Sequence, residues 1–122
     1  MIEDHEIKKK HDYLHVTIYQ NMNKESIGVY LKGIPEVARE SGYSKILVDI
    51  RQANIDLTYM DHYQAGEDFA RYFQGLSVAF VFNEIKDNYA FGETVASNRG
   101  AVLRLFTSLK ESYDWLEVNE EN

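Results

Sequence analysis

The residues best suited to chemistry follow an apolar run over residues 45–50, which would form a buried strand. They are Arg51, Asn54, Asp56, Thr58 and Asp61. Open parallel sheets bind their ligands beyond the carboxyl ends of their strands, which is where these side chains would lie. Arg51 is suited to clamp an anion, and a helix beginning at Thr58 would offer that anion free backbone N–H groups. Alternatively, Arg51 pairs with Asp49 or Asp61. In that case Thr58 serves only as a helix cap.

A second polar pair, Asn98 and Arg99, precedes Gly100. The glycine is explained as a helix stop in the left-handed conformation, for which glycine is the favoured residue. That role does not require an arginine. We therefore assign Asn98 and Arg99, together with the polar residues after the run over residues 45–50, to a ligand-binding or partner-binding surface.

No motif of a catalytic or cofactor site is present in the sequence. The four histidines, His5, His11, His15 and His62, lack metal-binding spacing, and we expect them to be scattered over the surface. The chain has no GxGxxG sequence, no P-loop and no GxSxG nucleophile elbow. We therefore expect no catalytic residues, no metal and no cofactor, and predict that the protein is not an enzyme.

The net charge of −7 argues against nucleic acid and anionic lipid as partners, because an acidic body repels both. One basic run, residues 8–10, is flanked by acids and is interpreted as a solvated strand face, with a phosphate-binding patch as the alternative. The chain has no cysteine, which excludes disulfides and thiolate chemistry. Residues 1–12 lack the apolar run of a signal peptide, and no stretch approaches the length of a membrane span. We expect a cytoplasmic protein without membrane insertion.

Apolar patterning predicts four or five strands. Residues 13–19 alternate between apolar and polar, as in a half-buried strand, and His5–Lys10 is expected to pair with them as a hairpin through His11-Asp12. Three further runs have the length and nearly continuous apolar character of buried parallel strands. They cover residues 45–50, 77–82 and 101–106. Arg104 interrupts the last run and indicates a strand nearer an edge.

Apolar residues at helical spacing fill the gaps between strands. The predicted helices run from Asn23 to Gly42, from Thr58 to Gln74, from about Asn88 to Asn98, and from Ser108 onward. Pro35 should bend the first helix without breaking it, because the helical spacing of apolar residues is the same before and after it. Four side chains of the second helix are expected to face the core: Met60, Tyr63, Ala70 and Phe73. In the last helix Trp115 is predicted to be a core residue, and Asn119–Asn122 to be frayed.

The predicted element order is ββαβαβαβα. Strands that alternate with helices imply parallel βαβ units, and the N-terminal hairpin adds an antiparallel edge. The length of 122 residues is usual for one domain. We therefore predict a single α/β domain over residues 1–122, with a mixed, mostly parallel sheet of four to five strands and about four helices.

This order, with three of its segments, resembles the SpoIIAA-like proteins, a branch of the STAS fold. The matching segments are Lys45–Ala70 (KILVDIRQANIDLTYMDHYQAGEDFA), Glu93–Phe106 (ETVASNRGAVLRLF) and Thr107–Leu116 (TSLKESYDWL). In that group a strand ending in Asp-(Leu/Ile)-Arg leads to a capped helix with a Met-Asp pair. An Asn-Arg-Gly turn before a strand and a terminal Trp-Leu helix are also similar to the group.

The resemblance implies a small cytoplasmic domain that acts through partners or ligands. The founding members are anti-sigma factor antagonists, switched by phosphorylation of a serine at a helix N-terminus, and other relatives resemble binders of lipids or small molecules. Two serines and a glycine would follow the Met-Asp pair in an antagonist, whereas His62, Tyr63 and Gln64 follow it here. Thr58 is the hydroxyl left near that position. We predict that it caps the helix and is not phosphorylated.

Two functions remain open. The first is a regulatory or protein-interaction module with a protein partner or as a homodimer. The nine tyrosines are consistent with such a surface, although half-buried packing is the more frequent role of tyrosine. The second is a binder of a small apolar or lipid-like ligand held between sheet and helices. A ligand binder predicts an apolar pocket of about a few hundred Å³ or more. An interaction module predicts a filled core and an exposed patch rich in tyrosine.

Overall fold

The computed structural model describes residues 4–120, which form a five-stranded sheet in the order β1-β2-β3-β4-β5. The strands are β1 (His5–Lys9), β2 (Leu14–Ile18), β3 (Lys45–Asp49), β4 (Ser77–Val81) and β5 (Val102–Phe106). β1 is antiparallel to β2, and all other neighbours pair in parallel. The predicted hairpin and mixed sheet are confirmed, and the strand that contains Arg104 lies at the edge as predicted.

Four helices connect or follow these strands: α1 (Lys24–Glu40), α2 (Tyr59–Tyr72), α3 (Asp87–Asn98) and α4 (Leu109–Leu116). Asn23, Thr58 and Ser108 cap α1, α2 and α4 through their side chains, as the sequence predicts. Such side chains satisfy the backbone N–H groups that a helix N-terminus leaves free. α1 continues through the buried Pro35, so the prediction of one unbroken helix is confirmed.

The two faces of the sheet are covered differently. α1, α2 and α3 pack on one face over the larger apolar core, to which the strands contribute Leu14, Val16, Ile46, Val48 and Val78. α4 packs on the opposite face over a smaller cluster formed by Tyr13, Leu47, Ala79, Val81, Tyr113 and Leu116. Because side chains alternate across a strand, the nearly continuous apolar runs of β3 and β4 supply both clusters.

The helices α2 and α3 pack closely against each other at Gly66. A Cβ atom on Gly66 would lie 2.7 Å from the carbonyl oxygen of Gly92 and 3.0 Å from the Cβ of Val95. The first separation is shorter than real Cβ contacts, and the second is tighter than most of them. A residue larger than glycine at this position would therefore force the two helices apart.

The inward face of α2 differs from the prediction. Met60 is 73% exposed and Tyr63 is half-buried, so the expectation that both face the core is wrong. The buried face carries His62, Gly66, Phe69 and Ala70, and Phe73 follows at the cap. The contact with α3 sets the rotation of α2, and residues two positions apart on a helix point in nearly opposite directions. A rotation that buries His62 therefore exposes Met60, and the expectation of a surface His62 is also wrong.

Trp115 is half-buried, so its prediction as a core residue is wrong in degree. Its ring packs on Phe106 with centroids 5.9 Å apart, at the margin of the smaller cluster. Tyr113 and Leu116 occupy the inward face of α4, which leaves Trp115 on the flank. The segment Asn119–Asn122 was expected to be frayed, and residues 121 and 122 lie outside the described residues. The carbonyl of Glu120, in the same segment, accepts a hydrogen bond of 3.1 Å from the Tyr13 hydroxyl.

Candidate functional site

Arg51 is held by Asp49 at the carboxyl end of β3. Its Nε lies 2.9 Å from Oδ1 and its Nη2 lies 2.8 Å from Oδ2 of Asp49, which is 5% exposed. Burial acts to raise the pKa of Asp49, but the hydrogen bonds from Arg51 outweigh it and hold that pKa below its usual value. The alternative in which Arg51 pairs with a neighbouring carboxylate is therefore confirmed. The guanidinium remains partly accessible beside this partner.

The backbone of Asn54 and Asp56 is fixed by the segment that precedes α1. The amide of Met22 donates to the carbonyl of Asn54 (2.8 Å), and the amide of Asp56 donates to the carbonyl of Met22 (2.9 Å). Asn21 Oδ1 accepts from the amide of Asn54 at 3.0 Å. The loop thus has a defined backbone, and both predicted side chains project from it into solvent.

Thr58 and Asp61 form a capping box at the start of α2. Thr58 Oγ1 accepts from the amide of Asp61, and Asp61 Oδ2 accepts from the amide of Thr58, each at 3.1 Å. The hydrogen bond from the Thr58 amide lowers the pKa of Asp61. The predicted role of Thr58 as a cap is confirmed.

Arg99 joins the end of α3 to α2. Its Nη2 lies 3.1 Å from Tyr63 Oη and 3.1 Å from Glu67 Oε2, and its Nη1 donates to the carbonyl of Val95 at 3.2 Å. Gly100 adopts a φ of 92°, which confirms the left-handed helix stop. Arg99 therefore has a structural role of its own, because it connects the end of α3 to two side chains of α2.

The outer side of α2 and α3 carries an aromatic patch, which we define as Tyr59, Met60, Tyr63 and Phe91. Tyr59 is 55% and Phe91 37% exposed. The centroid of the Phe91 ring lies 5.6 Å from that of Tyr59 and 6.3 Å from that of Tyr63. Three of the polar residues predicted from the sequence adjoin this patch: Thr58, Asp61 and Arg99. Asn98 is exposed at the end of α3, and the other three lie in the loop that precedes α2.

An apolar cavity of about 110 Å³ lies between the sheet and helices α1, α2 and α3. Four phenylalanines contribute to its walls: Phe69 and Phe73 from α2 and its cap, and Phe80 and Phe82 from β4 and the residue after it. None of the seven polar residues predicted as a surface lines this cavity. The structure therefore separates the predicted polar surface from the concave apolar site.

His62 is a buried histidine that contributes to the wall of the cavity. It is 6% exposed, and its Nε2 has no hydrogen-bond partner within residues 4–120. Burial lowers the pKa of the ring, while the nearby Asp61 opposes this effect more weakly, so His62 is neutral at neutral pH. The sequence interpretation missed this residue. The signal that could have revealed it is the helical spacing of His62 with Gly66, Phe69 and Phe73.

Glu93 is a second polar side chain at the cavity wall. Its Oε2 accepts a hydrogen bond of 3.2 Å from the amide of Leu105 on the edge strand β5. Tyr30 also lines the cavity, and its hydroxyl donates a hydrogen bond of 3.3 Å to Gln20 Oε1. Glu93 and Tyr30 thus each have a hydrogen-bond partner within the protein, whereas Nε2 of His62 has none among residues 4–120.

Residues 4–120 contain no group of three or more His, Cys, Asp or Glu side chains that could hold a metal ion. None of the helices among these residues is long and apolar enough to cross a membrane.

Comparison with known proteins identifies the fold. No family model and no curated protein matches the chain. An uncharacterized protein of the DUF3478 family with a SpoIIAA-like fold, from Shewanella loihica PV-4, is 16% identical with a TM-score of 0.54, and the match covers 92% of this chain and 91% of that one. The anti-sigma factor antagonist SpoIIAA in its unphosphorylated form is 6% identical with a TM-score of 0.55, covering 93% of this chain and 97% of that one. The chain has a SpoIIAA-like fold, as its sequence predicts.

Proposed function

We propose that the protein is a non-catalytic regulatory module that holds a small apolar ligand between its sheet and its helices. The observation that carries this proposal is the apolar cavity of about 110 Å³. Its walls are almost entirely apolar. A bound apolar molecule would remove this surface from water, and the gain in free energy is roughly proportional to the apolar area that is buried.

The cavity is smaller than the pocket expected of a ligand binder from the sequence. Pockets for drug-sized ligands are about 300–1,000 Å³, so this cavity suits a smaller molecule. Two of the helices that line it, α2 and α3, also carry the aromatic patch. A ligand that shifts the packing of α2 on α3 would therefore change the patch, which supplies a route from binding to regulation.

The test compares two alanine-to-leucine variants by native mass spectrometry of protein purified from its own host. Ala65 lines the cavity, whereas Ala90 lies on the exposed side of α3. We expect the parent and Ala90→Leu to carry an added mass that organic extraction removes. Ala65→Leu should lose this mass because its side chain fills the cavity. A parent protein that never carries an added mass, and that binds no small apolar probe in solution, would contradict the proposal.

A second candidate function is protein interaction through the aromatic patch, favoured by the exposure of its apolar side chains. An apolar centre with a polar rim is typical of a protein interface. In this candidate Thr58, Asp61 and Arg99, which adjoin the patch, form its polar rim. The other residues predicted from the sequence, Arg51, Asn54, Asp56 and Asn98, would extend the partner-binding surface beyond that rim. SpoIIAA is an anti-sigma factor antagonist, which supports a module that acts through a protein partner. In this candidate the protein is cytoplasmic, and its partner is either a different protein or a second copy of the chain.

The homodimer is tested by light scattering over a range of protein concentrations. Met60→Lys places a charge in the patch, and Val29→Lys is the matched control because Val29 is 70% exposed on α1, outside the patch. We expect the parent and Val29→Lys to form a dimer at high concentration and Met60→Lys to remain monomeric. A parent that is monomeric throughout would exclude the homodimer and leave only a different protein as partner.

A further inference from the structure

Aromatic rings are concentrated in one part of the apolar cavity. Four of the six phenylalanines of the chain line it, Phe69, Phe73, Phe80 and Phe82, and so does Tyr89 of α3. The ring centroids of Phe69 and Phe73 are 4.1 Å apart, and that of Phe80 lies 5.7 Å from Phe69 and 6.3 Å from Phe82. The rings of Phe82 and Tyr89 are 4.9 Å apart. These five residues, which we call the aromatic series, thus run continuously from α2 across β4 to α3.

The part of the cavity next to α1 is mainly aliphatic. The side chains that α1, β2, β3 and the residue after β3 contribute to it include Ile18, Ile27, Leu31, Ile34, Val48 and Ile50. Among the described residues of these elements, Tyr30 alone brings an aromatic ring to the cavity. Because β4 follows β2 and β3 in the sheet, the cavity changes from aliphatic to aromatic along one direction.

The far side of the aromatic series is less suited to an aliphatic group. There β5 contributes Leu103 and Leu105 to the cavity, but Glu93 also lines it. The carboxylate of Glu93 accepts a hydrogen bond of 3.2 Å from the amide of Leu105. An apolar group placed beside a carboxylate would take it further out of water without giving it a new partner, which is unfavourable. The side next to α1 is therefore the better environment for an aliphatic group.

Aromatic rings attract one another beyond the hydrophobic effect. An aromatic pair is favourable in both offset-stacked and edge-to-face arrangements, with ring centroids about 4.5–7 Å apart. A ligand ring would therefore gain from the phenylalanines whether they present a face or an edge to the cavity. A saturated ring with the same carbon skeleton buries a similar apolar area but lacks this additional attraction.

We propose that the ligand contains an aromatic ring that carries an aliphatic substituent. The ring lies beside Phe69, Phe80 and Phe82, and the substituent points towards Leu31 and Ile34 of α1. This inference rests on the proposed function, because it names the class of ligand that the cavity holds.

The aromatic ring is tested with ethylbenzene and ethylcyclohexane, which share a carbon skeleton and differ in aromaticity. Dissociation constants for both are measured by NMR titration of the parent, of Phe80→Leu and of Phe91→Leu. The two molecules also differ in hydration, but that difference is the same for all three proteins. The change in their affinity ratio between the parent and a variant therefore reports the interaction with the replaced ring.

The two variants replace the same residue type at different places. Phe80 is half-buried and lines the cavity, whereas Phe91 belongs to the aromatic patch and does not line it. We expect the affinity of ethylbenzene relative to ethylcyclohexane to fall by about two- to tenfold in Phe80→Leu, which corresponds to one aromatic pair. Phe91→Leu should leave this ratio unchanged. An equal fall of the ratio in both variants would overturn the inference.

The orientation of the ligand is measured in the parent, so it does not depend on the folding of a variant. With ¹³C-labelled protein and unlabelled ethylbenzene, the ring protons of the ligand should give nuclear Overhauser effects to the ring protons of Phe69 and Phe80. The methyl protons of its ethyl group should give them to the methyl groups of Leu31 and Ile34. The reverse pattern would overturn the proposed orientation.

The outcomes separate this inference from the proposed function. If both molecules bind and their affinity ratio is the same in the parent and in Phe80→Leu, the cavity binds apolar ligands and the aromatic inference is wrong. If neither molecule binds to the parent, the proposed function itself fails. Nuclear Overhauser effects confined to the aromatic patch would overturn both proposals, because the molecules would then bind outside the cavity.

Discussion

Replacement of Gly66 by alanine should destabilise the protein, although alanine is the better helix former. On propensity alone the change would stabilise α2 by about 1 kcal/mol. The new methyl group, however, would lie 2.7 Å from the carbonyl oxygen of Gly92 and 3.0 Å from the Cβ of Val95. Overpacking of this kind costs about 1–3 kcal/mol, and the nearest atom belongs to the backbone, which cannot rotate away. Because the clash is with backbone, we expect a cost in the upper part of that range, about 2–3 kcal/mol, and therefore a net loss of about 1–2 kcal/mol.

The matched control is Gly33→Ala in α1. A Cβ atom on Gly33 would meet nothing within 4 Å, so the same substitution there brings only the gain in helix propensity. We expect Gly33→Ala to stabilise the protein by about 0.5–1 kcal/mol. The two variants carry the same chemical change in two helix interiors, and the structure predicts changes in the free energy of unfolding that have opposite signs.

The assay is urea unfolding followed by far-ultraviolet circular dichroism. For a domain of this size, where ΔG falls by about 1–3 kcal/mol for each molar urea, a loss of 1–2 kcal/mol lowers the midpoint by roughly 0.5–1 M. If Gly66→Ala is as stable as the parent, α2 and α3 do not pack as closely at Gly66 as described.

Three further predictions address single residues. Thr58→Ala should lose about 1 kcal/mol in the same assay because it removes the cap of α2, whereas Thr58→Ser should behave like the parent; phosphopeptide mapping of the native protein should find no stoichiometric phosphate on Thr58. Trp115→Ala should lose about 2 kcal/mol, less than the ~3–5 kcal/mol of a fully buried aromatic, and a loss below about 1 kcal/mol would show that α4 is not docked. Burial lowers the pKa of His62, so the folded state takes up a proton less readily than the unfolded state, and stability should fall as the pH drops below about 6.5. His62→Leu should flatten this slope without abolishing it, because burial also lowers the pKa of His15; an unchanged slope between pH 7 and pH 5 would contradict the burial of His62.

The candidate site was only partly predictable from the sequence. The residues around Arg51 were assigned as an anion clamp or as a structural pair, and the structure shows the pair, because Asp49 lies two positions earlier on the same strand end. Thr58 was predicted correctly as a cap, since capping depends on residues three positions apart. His62 was assigned to the surface, since a histidine followed by tyrosine and glutamine does not by itself indicate a buried face.

The sequence by itself determined the order of strands and helices and the helix caps, because these depend on apolar periodicity and on contacts a few residues apart. The SpoIIAA-like fold was implied by the resemblance of three segments of the chain to that group. Only the tertiary structure decided the rotation of α2, the burial of His62, the half-exposure of Trp115 and the cavity. Each of these depends on how side chains distant in sequence fill the space between packed elements. The contact of Gly66 with Gly92 shows the reason: two glycines far apart along the chain set the distance between two helices, and that distance fixes which side of α2 faces the core.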